Sequence, residues 1–334
     1  MSAAVSTRAL LELDGLTVDY VLGDRRVRAV DNVSLSIAPG EIVGLAGESG
    51  CGKSTLASAV LQILKPPAEV SAGRILFQGL DLIAMSRDEL RRVRWRHVSL
   101  VFQSAMNVLN PVMRVGDQFV DMYKAHDRRV RRSEALARAG DLLELVGIER
   151  KRVRSYTHEL SGGMRQRVVI AMALALEPEL IVMDEPTTAL DVVVQREILQ
   201  ELEQLKQRLG FAVLFITHDL SLLVEFSDRI AIMYAGEIVE TAASDVLFRH
   251  ALHPYTTGLM SSFPPLTGPI LPLTGIPGAP PYLADPPSGC RFHPRCPQCT
   301  GIDSNLHRLQ TGVRPVLRTI EPGHQVACHW VAGP

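Results

Sequence analysis

The sequence predicts an α/β fold, and three observations support this. Apolar, β-rich runs alternate with helical patterns over the first 240 residues or so, which is typical of a sheet covered by helices. A glycine-rich loop, residues 47–55, lies between one such run and a helical pattern. A later apolar run, residues 180–183, ends in two carboxylates, Asp184 and Glu185. Together these features predict a sheet whose carboxyl edge binds a phosphate-bearing ligand.

The candidate strands are mostly separated by enough chain for a helix. Several are continuous apolar runs, as expected for strands that are buried on both faces. They are residues 41–46, 74–77, 98–102, 180–183, 212–217 and 229–234.

The long interval between the third and fourth candidate strands contains helical patterns and no convincing strand. The clearest of these patterns is residues 133–145, which are rich in Glu, Ala, Leu and Arg. We therefore expect a helical subdomain, about residues 110–177, inserted into the α/β core. Further on, a helical stretch at 243–260 leads into a segment at 264–289 that is rich in Pro and Gly, which predicts an extended linker.

Composition and charge exclude several classes of protein. The chain has 334 residues, 35 Lys+Arg and 36 Asp+Glu, a net charge of −1 and 46% hydrophobic residues, as in ordinary soluble globular proteins. This balance argues against a general nucleic-acid binder, and we interpret the arginine runs at 91–96 and 128–132 as solvated helix faces. The longest uncharged stretch, 254–284, has too many prolines for a spanning helix. The first residues lack the apolar core of a signal peptide, so we expect a cytoplasmic chain.

The glycine-rich loop fits the pattern G-x-x-x-x-G-K-[ST] in the strand–loop–helix context that phosphate binding requires. Its backbone N–H groups can point into one concavity, and the following helix adds its positive N-terminal dipole. Lys53 can reach the β- and γ-phosphates, and Ser54 can ligate Mg²⁺. We interpret Cys51 as a small residue that contributes only its backbone. The other candidate nucleotide-binding positions in the loop are Gly47, Ser49, Gly50, Gly52 and Thr55.

The two carboxylates after the run at 180–183 predict the second half of the nucleotide site. They lie where the strand reaches the carboxyl edge of the sheet. Asp184 is placed to hold Mg²⁺, and Glu185 can accept a proton from the attacking water as a general base.

A third motif, Leu-Ser-Gly-Gly-Met at residues 160–164, lies between these half-sites and precedes a helical run. A serine and glycines at a helix start form an anion-binding N-terminus. In this order, the three motifs resemble those of the nucleotide-binding subunits of ATP-binding cassette (ABC) transporters, over about residues 8–250. The resemblance implies a P-loop ABC-type nucleotide-binding domain that hydrolyses ATP. It also implies that Ser161, Gly162 and Gly163 contact the ATP bound to a second cassette.

The same resemblance assigns roles to residues that would be ordinary in isolation. Gln103, after the run at 98–102, is similar to the Q-loop glutamine that senses Mg²⁺. His218 is similar to the switch histidine that contacts the γ-phosphate, and Asp191 to the aspartate of the D-loop, which acts across the dimer. Tyr20 takes the place of the aromatic residue that stacks on adenine. The implied catalytic residues are Glu185, His218, Lys53 and Gln103, and the implied Mg²⁺ ligands are Ser54, Gln103 and Asp184.

Three further stretches narrow the resemblance to importers of dipeptides and oligopeptides. They are residues 102–111, residues 184–192, and His-Pro-Tyr-Thr at 253–256. The implied function is an ATP-hydrolysing motor that drives uptake of these peptides. Nickel chelates, glutathione and oligosaccharides remain alternative solutes, because the motor subunit does not touch the solute.

Four of the five cysteines, Cys290, Cys296, Cys299 and Cys328, lie in residues 290–334. In a reducing cytosol such a group indicates a metal more often than disulfides. The segment resembles the cysteine motif of the peptide-importer extension, which can carry a [4Fe–4S] cluster, although Asp303 stands where the third cysteine usually lies. Four thiolates suit an iron–sulfur cluster or Zn²⁺ by count. We expect a structural role, since so small a module needs a staple.

Two other classes of protein compete with a transport motor. One is a soluble ABC ATPase of translation or DNA repair, which usually has two cassettes or a long coiled coil. The other is an iron–sulfur protein whose ATP site serves cluster assembly, against which the complete signature and switch motifs argue. We therefore expect a peripheral subunit at the cytoplasmic face of the membrane. Its expected partners are a second, different ABC subunit, two permease subunits and an extracytoplasmic solute-binding protein, with no nucleic acid.

The predicted organisation has three parts. Residues 8–245 form the ABC nucleotide-binding domain, and residues 246–289 form a helical and Pro/Gly-rich linker. Residues 290–334 form a small, irregular, metal-binding extension.

Overall fold

The computed structural model describes residues 9–102, 108–187, 190–261, 275–299 and 304–332. The chain divides into two compact units. The first comprises Met1–Ile37, Ile42–Ile83 and Phe215–Pro334, and the second comprises Ala38–Glu41 and Ala84–Leu214.

Strands and helices alternate in the middle of the chain, whereas the first two strands are antiparallel to each other. The strands are β1 (Leu11–Leu22), β2 (Arg25–Ile37), β3 (Ile42–Ala46), β4 (Ala68–Phe77), β5 (Leu80–Asp81), β6 (Val98–Val101), β7 (Leu180–Asp184), β8 (Ala212–Ile216), β9 (Arg229–Tyr234), β10 (Glu237–Ala243), β11 (Arg318–Glu321) and β12 (His324–Val326). The helices are α1 (Lys53–Val60), α2 (Arg87–Val93), α3 (Val115–His126), α4 (Arg132–Leu145), α5 (Gly162–Leu174), α6 (Val192–Leu209), α7 (Leu220–Phe226), α8 (Ser244–Arg249), α9 (Pro254–Ser261), α10 (Ser304–Gly312) and α11 (His329–Ala332).

The first unit contains an antiparallel sheet and the strand that leads into the glycine-rich loop. The antiparallel sheet has the order β2–β1–β4–β5. In a second sheet the order is β11–β12–β10–β9–β3, with β3 parallel to β9. Every residue of β3 is buried, which explains its uninterrupted Ile-Val-Gly-Leu-Ala sequence. This buried strand gives the loop that follows it a rigid support.

The second unit combines a short parallel sheet with helices. Here β7 lies between β6 and β8, and Val98 pairs with Leu180 in parallel register. Helices α3, α4 and α5 occupy the interval for which helical patterns were predicted. Their apolar side chains are buried, among them Phe119 and Leu143 at 0% exposure. The predicted helix at 133–145 corresponds to α4, which begins one residue earlier.

All six predicted strands are present, although the limits of five of them differ. The largest difference is in β4, which begins at Ala68 rather than at residue 74. The sequence did not indicate the first half of this strand, because these residues are exposed and lack an apolar pattern. The long strands β1 and β2 were not predicted. Their pairing contains several register shifts, which interrupt the alternation that identifies a strand from sequence. The predicted helix at 243–260 is divided into α8 and α9.

The C-terminal extension was predicted to be an irregular module, but it contains regular secondary structure. Its strands β11 and β12 form a hairpin, and β12 pairs antiparallel with β10 through Glu240 and Val326. Phe292 is 1% exposed and Val326 is fully buried. The sequence did not indicate this, because a three-residue strand has no readable periodicity and its stability comes from the neighbouring strand. The extension therefore continues a sheet of the first unit.

A buried carboxylate ties the extension to the chain that precedes it. Glu240, at 0% exposure, accepts hydrogen bonds from the backbone of Leu252 at 2.7 Å and of His253 at 3.0 Å. It also contacts Nε2 of His324 at 2.8 Å. Complete burial lowers the pKa of His253 to about 3, so this imidazole stays neutral. One side chain thus connects β10, the start of α9 and β12.

No helix in the described part of the chain is both long enough and apolar enough to cross a bilayer.

Candidate nucleotide-binding site

The glycine-rich loop links β3 to α1, as the sequence predicts. Its bends require glycine at two positions. Gly47 has φ 152° and Gly52 has φ 111°, and a Cβ at these positions would lie 2.1 Å from the carbonyl oxygens of Met233 and Ala29, respectively. Ser49 and Gly50 are exposed at the tip of the loop. The loop therefore curves tightly, with its backbone close to two neighbouring strands.

Lys53 is buried, at 6% exposure, and folds back over the loop. Its Nζ donates hydrogen bonds to the carbonyl oxygens of Gly47 at 2.7 Å and Glu48 at 3.0 Å. The Sγ of Cys51 lies 3.6 Å from the same nitrogen. Burial raises the pKa of Cys51, so its thiol stays protonated and unreactive. Ser54 is exposed at the start of α1.

Tyr20 lies near the end of β1 and connects this strand to the loop. Its hydroxyl is 3.1 Å from the hydroxyl of Thr55. The residue is half-buried and pairs with Val27 of β2, which also lines a pocket of about 310 Å³ beside the loop. This position suits an aromatic ring that stacks on a base next to a phosphate-binding loop.

His218 lies two residues after the end of β8 and is exposed. The next residue, Asp219, caps α7 by accepting hydrogen bonds from the backbone of Ser221 at 3.0 Å and Leu222 at 3.4 Å. The backbone of Asp219 in turn donates to the hydroxyl of Thr217 at 3.1 Å. These bonds fix the chain on both sides of the histidine.

In the second unit, the two predicted carboxylates lie at the end of β7. Asp184 is its last residue and is 7% exposed. Glu185 follows with φ 47°, a left-handed conformation that a non-glycine residue adopts at a cost in energy. No sequence pattern indicated this conformation.

The signature and D-loop residues both begin helices of the second unit. Ser161 caps α5 by accepting a hydrogen bond from the backbone of Met164 at 3.3 Å. Asp191 caps α6 in the same way, with the backbone of Val194 at 3.1 Å. A Cβ on Gly163 would lie 2.8 Å from Cγ1 of Val194, so these two helix starts pack closely. Gln103 and residues 188–189 lie outside the described residues.

The four C-terminal cysteines lie in one region and are all free thiols. Burial, with smaller effects of the nearby Cys328 and Cys296, raises the pKa of Cys290 to about 12. Burial raises the pKa of Cys296 to about 11, with smaller effects of Cys328 and Cys299. Cys299 also lies 3.5 Å from Nδ1 of His307. Among the described residues, however, no group of three or more His, Cys, Asp or Glu side chains is placed to hold a metal ion.

Buried arginines in the cysteine motif are functional candidates that sequence reasoning missed. Arg291 forms an ion pair with Asp31 and contacts Oε1 of Glu237 at 2.9 Å. Arg314, from the chain before β11, approaches the same two carboxylates at 3.0 and 2.7 Å. The sequence did contain one indication of these ion pairs, namely the two arginines between Cys290 and Cys296. An arginine in an apolar, cysteine-rich segment needs a buried acidic partner.

Comparison with known proteins matches these features. The chain is similar to the ABC transporter family over residues 30–188 and to the oligopeptide/dipeptide transporter C-terminal region over residues 239–302. It is 41% identical over 321 residues to the dipeptide transport ATP-binding protein DppD of Caldanaerobacter subterraneus subsp. tengcongensis, covering 96% of both chains. It is 43% identical over 298 residues to the oligopeptide transport ATP-binding protein OppD of Bacillus subtilis, covering 88% of this chain and 83% of that one.

Solved structures give the same fold. A dimeric bacterial ABC transporter cassette, MJ0796, is 30% identical, with a TM-score of 0.62, and the match covers 70% of this chain and 98% of that one. The same cassette, solved as a dimer in a post-hydrolysis state with ADP and Pi, matches equally well.

Proposed function

Because the chain belongs to the ATP-binding subunits of the ABC transporter family, we propose that it is the ATP-hydrolysing motor of an importer of dipeptides or oligopeptides. The observation that carries this proposal is the combination of a complete phosphate-binding loop with a C-terminal region of the oligopeptide/dipeptide transporter type. The relatives with this combination carry names of peptide-transport ATP-binding proteins.

The proposed chemistry uses the predicted residues in distinct roles. Lys53 leaves the loop carbonyls and turns to the β- and γ-phosphates, while Tyr20 stacks on the adenine. Ser54, Asp184 and Gln103 would hold Mg²⁺, which would neutralise the charge that develops on the phosphates. Glu185 accepts a proton from the water that attacks the γ-phosphorus, and His218 contacts the γ-phosphate.

The complete site requires a second cassette. The signature residues Ser161, Gly162 and Gly163, with Asp191, would contact the ATP held by the partner's loop. ATP then favours the closed pair, because it contacts both cassettes only in that state. We propose a different ABC subunit as this partner, with two permease subunits and an extracytoplasmic solute-binding protein. In this assembly the chain lies at the cytoplasmic face of the membrane.

The proposed division of the chain follows these roles. Residues 8–245 bind and hydrolyse ATP, with about residues 110–177 as the helical subdomain. Residues 246–289 connect this domain to the cysteine-rich residues 290–334.

Solute uptake tests the function. Cells that lack this chain should lose uptake of labelled dipeptides or oligopeptides and regain it when the chain is restored. Unlabelled nickel chelates, glutathione and oligosaccharides are then added as competitors, which separates the alternative solutes. If peptide uptake is normal without the chain, and the chain co-purifies with ribosomes or DNA, a soluble ABC ATPase is favoured instead.

For the extension we propose a four-thiolate centre, most readily a [4Fe–4S] cluster and alternatively Zn²⁺. Cys328 and Cys296 contribute to the raised pKa of Cys290, and Cys328 and Cys299 to that of Cys296, which supports this set of four neighbouring thiols. Among the described residues no group of three or more His, Cys, Asp or Glu side chains is placed to hold a metal ion, so the proposal depends on the number of thiols and not on their arrangement. Because burial raises these pKa values, binding must displace protons from the thiols.

Metal analysis of the protein purified without oxygen tests this centre. We expect about four iron and four sulfide per chain, as a single cubane cluster requires, with loss of both on Cys299→Ser. Cys51→Ser is the matched control and should keep the iron, because Cys51 lies in the glycine-rich loop. Stoichiometric zinc without sulfide would refute the cluster but support a four-thiolate zinc centre. A folded extension with no metal would refute both.

A further inference from the structure

The second residue of the glycine-rich loop is held by the C-terminal extension. Nη1 of Arg295 lies 2.6 Å from Oε2 of Glu48, and Nη2 lies 2.9 Å from Oε1. The guanidinium therefore donates two parallel hydrogen bonds to the carboxylate, which is the strongest geometry for an arginine–carboxylate pair. The Arg295 side chain is 6% exposed and that of Glu48 is 25% exposed, so solvent screens the contact little.

The remaining donors of Arg295 are also engaged, which fixes its position. Nε donates to the carbonyl oxygen of Pro277 at 2.8 Å, and Nη2 to that of Gly278 at 3.4 Å. Nη1 also lies 3.4 Å from the hydroxyl of Tyr234, and the guanidinium lies over the rings of Tyr234 and Phe292. The Glu48 carboxylate raises the pKa of Arg295, which keeps the guanidinium charged. These contacts hold the guanidinium in place, with its outer edge against the loop.

The backbone of Glu48 is engaged as well. Its N–H donates to the hydroxyl of Tyr255, the second residue of α9, at 2.9 Å. Its carbonyl oxygen accepts the hydrogen bond from Nζ of Lys53. A single loop residue thus links the region after the cassette to the lysine that is proposed to bind phosphate.

We propose that Arg295 is a positioning residue of the ATP site, which holds the Glu48 carboxylate away from the phosphates and makes ATP affinity depend on the docked extension. This rests on the proposed ATP binding at the loop. The loop attracts an anion through its backbone N–H groups, its helix dipole and Lys53. A released Glu48 carboxylate would repel the triphosphate and compete for Lys53. Arg295 neutralises this charge and turns it towards residues 277–278.

The arginine also shares a turn with the thiols. Cys290 accepts a hydrogen bond from the backbone of His293 at 2.9 Å, and the 3₁₀ turn His293–Arg295 leads directly into Cys296. The conformation of this turn therefore sets both the spacing of the two sulfurs and the reach of Arg295.

A double-mutant cycle on the full-length chain tests the proposal, with equilibrium affinity for Mg-ATP as the readout. Arg295→Met should weaken binding about tenfold, within the usual range of coupling between sites. Adding Glu48→Gln to this variant should recover most of the loss, because the repelling charge is gone, and Glu48→Gln alone closes the cycle. Equal weakness of the single and double variants would mean that Arg295 acts only through packing. Unchanged affinity in Arg295→Met would also overturn the proposal.

Two further variants keep the test decisive. Arg308→Met removes another arginine of the extension, one that is exposed on α10 and donates to the side chain of Asn305 in the same helix, and should bind Mg-ATP like the wild type. If Arg295→Met fails to fold, Arg295→Lys replaces it in the cycle, since lysine keeps the charge but cannot grip both oxygens. Thermal unfolding of each variant identifies folding defects. Failure of the wild-type chain to bind Mg-ATP would refute the proposed function itself, before the variants are compared.

Discussion

Glu185→Gln should keep ATP binding and lose ATP turnover in the assembled transporter. Glutamine preserves the shape of the side chain and its place after the buried strand β7, but it cannot accept the proton of the attacking water. A loss of about 10²-fold or more in the hydrolysis rate is the scale expected for removal of a general base. Mg-ATP affinity, measured separately at equilibrium, should stay near that of the wild type.

The left-handed backbone of Glu185 makes a control necessary, because a substitution there could disturb the strand end. Glutamine is as tolerant of this conformation as glutamate, so the local fold should survive. Glu203→Gln, an exposed position on α6, makes the same chemical change away from the site. It should leave turnover unchanged. Turnover of Glu185→Gln at the rate of this control would show that Glu185 is not the base.

Ser161→Ala should impair hydrolysis at the partner cassette and spare ATP binding at this chain's own loop. The hydroxyl caps α5 and would also contact the ATP held by the other subunit. Loss of one such contact to the reacting phosphates should reduce the partner site's rate about tenfold or more. Nucleotide trapping that distinguishes the two sites in the assembled pair measures this effect.

Loss of the helix cap is a competing cause, since it costs about 1 kcal/mol of stability by itself. Ser86→Ala controls for this, because Ser86 caps α2 through the backbone of Glu89 in the same unit and is absent from the predicted site. If both variants slow hydrolysis alike, general destabilisation explains the result. If Ser161→Ala weakens only the Lys53 site, the arrangement across two chains is wrong.

The parts of the fold with local signals could be predicted from the sequence. The loop at 47–55 has its glycines because backbone atoms approach Gly47 and Gly52 closely, so the motif itself records the geometry. Strands β3, β7 and β8 are buried on both faces and appear as continuous apolar runs. Cap residues such as Ser161 and Asp191 mark the helices that they begin.

The remaining features depend on contacts between residues distant in sequence. Arg295 and Glu48 are separated by 247 positions, and neither has a pattern that points to the other. The pairing of β12 with β10 likewise depends on a partner strand far away in the chain. The φ of 47° at Glu185 follows from the turn around it, and glutamate has no intrinsic preference for it. Sequence patterns therefore indicated the chemistry of the loop but not what holds it.

The hairpin β11–β12 also has a protective effect on the rest of the chain. Without it, β10 would become the last strand of its sheet, with unpaired N–H and C=O groups along one side. Strand edges of this kind recruit other chains and promote aggregation. The side chains of β10 are almost all buried, so an edge formed by this strand would bind other chains more readily. We therefore expect proteolytic loss of the extension to leave this edge open to pairing with other chains.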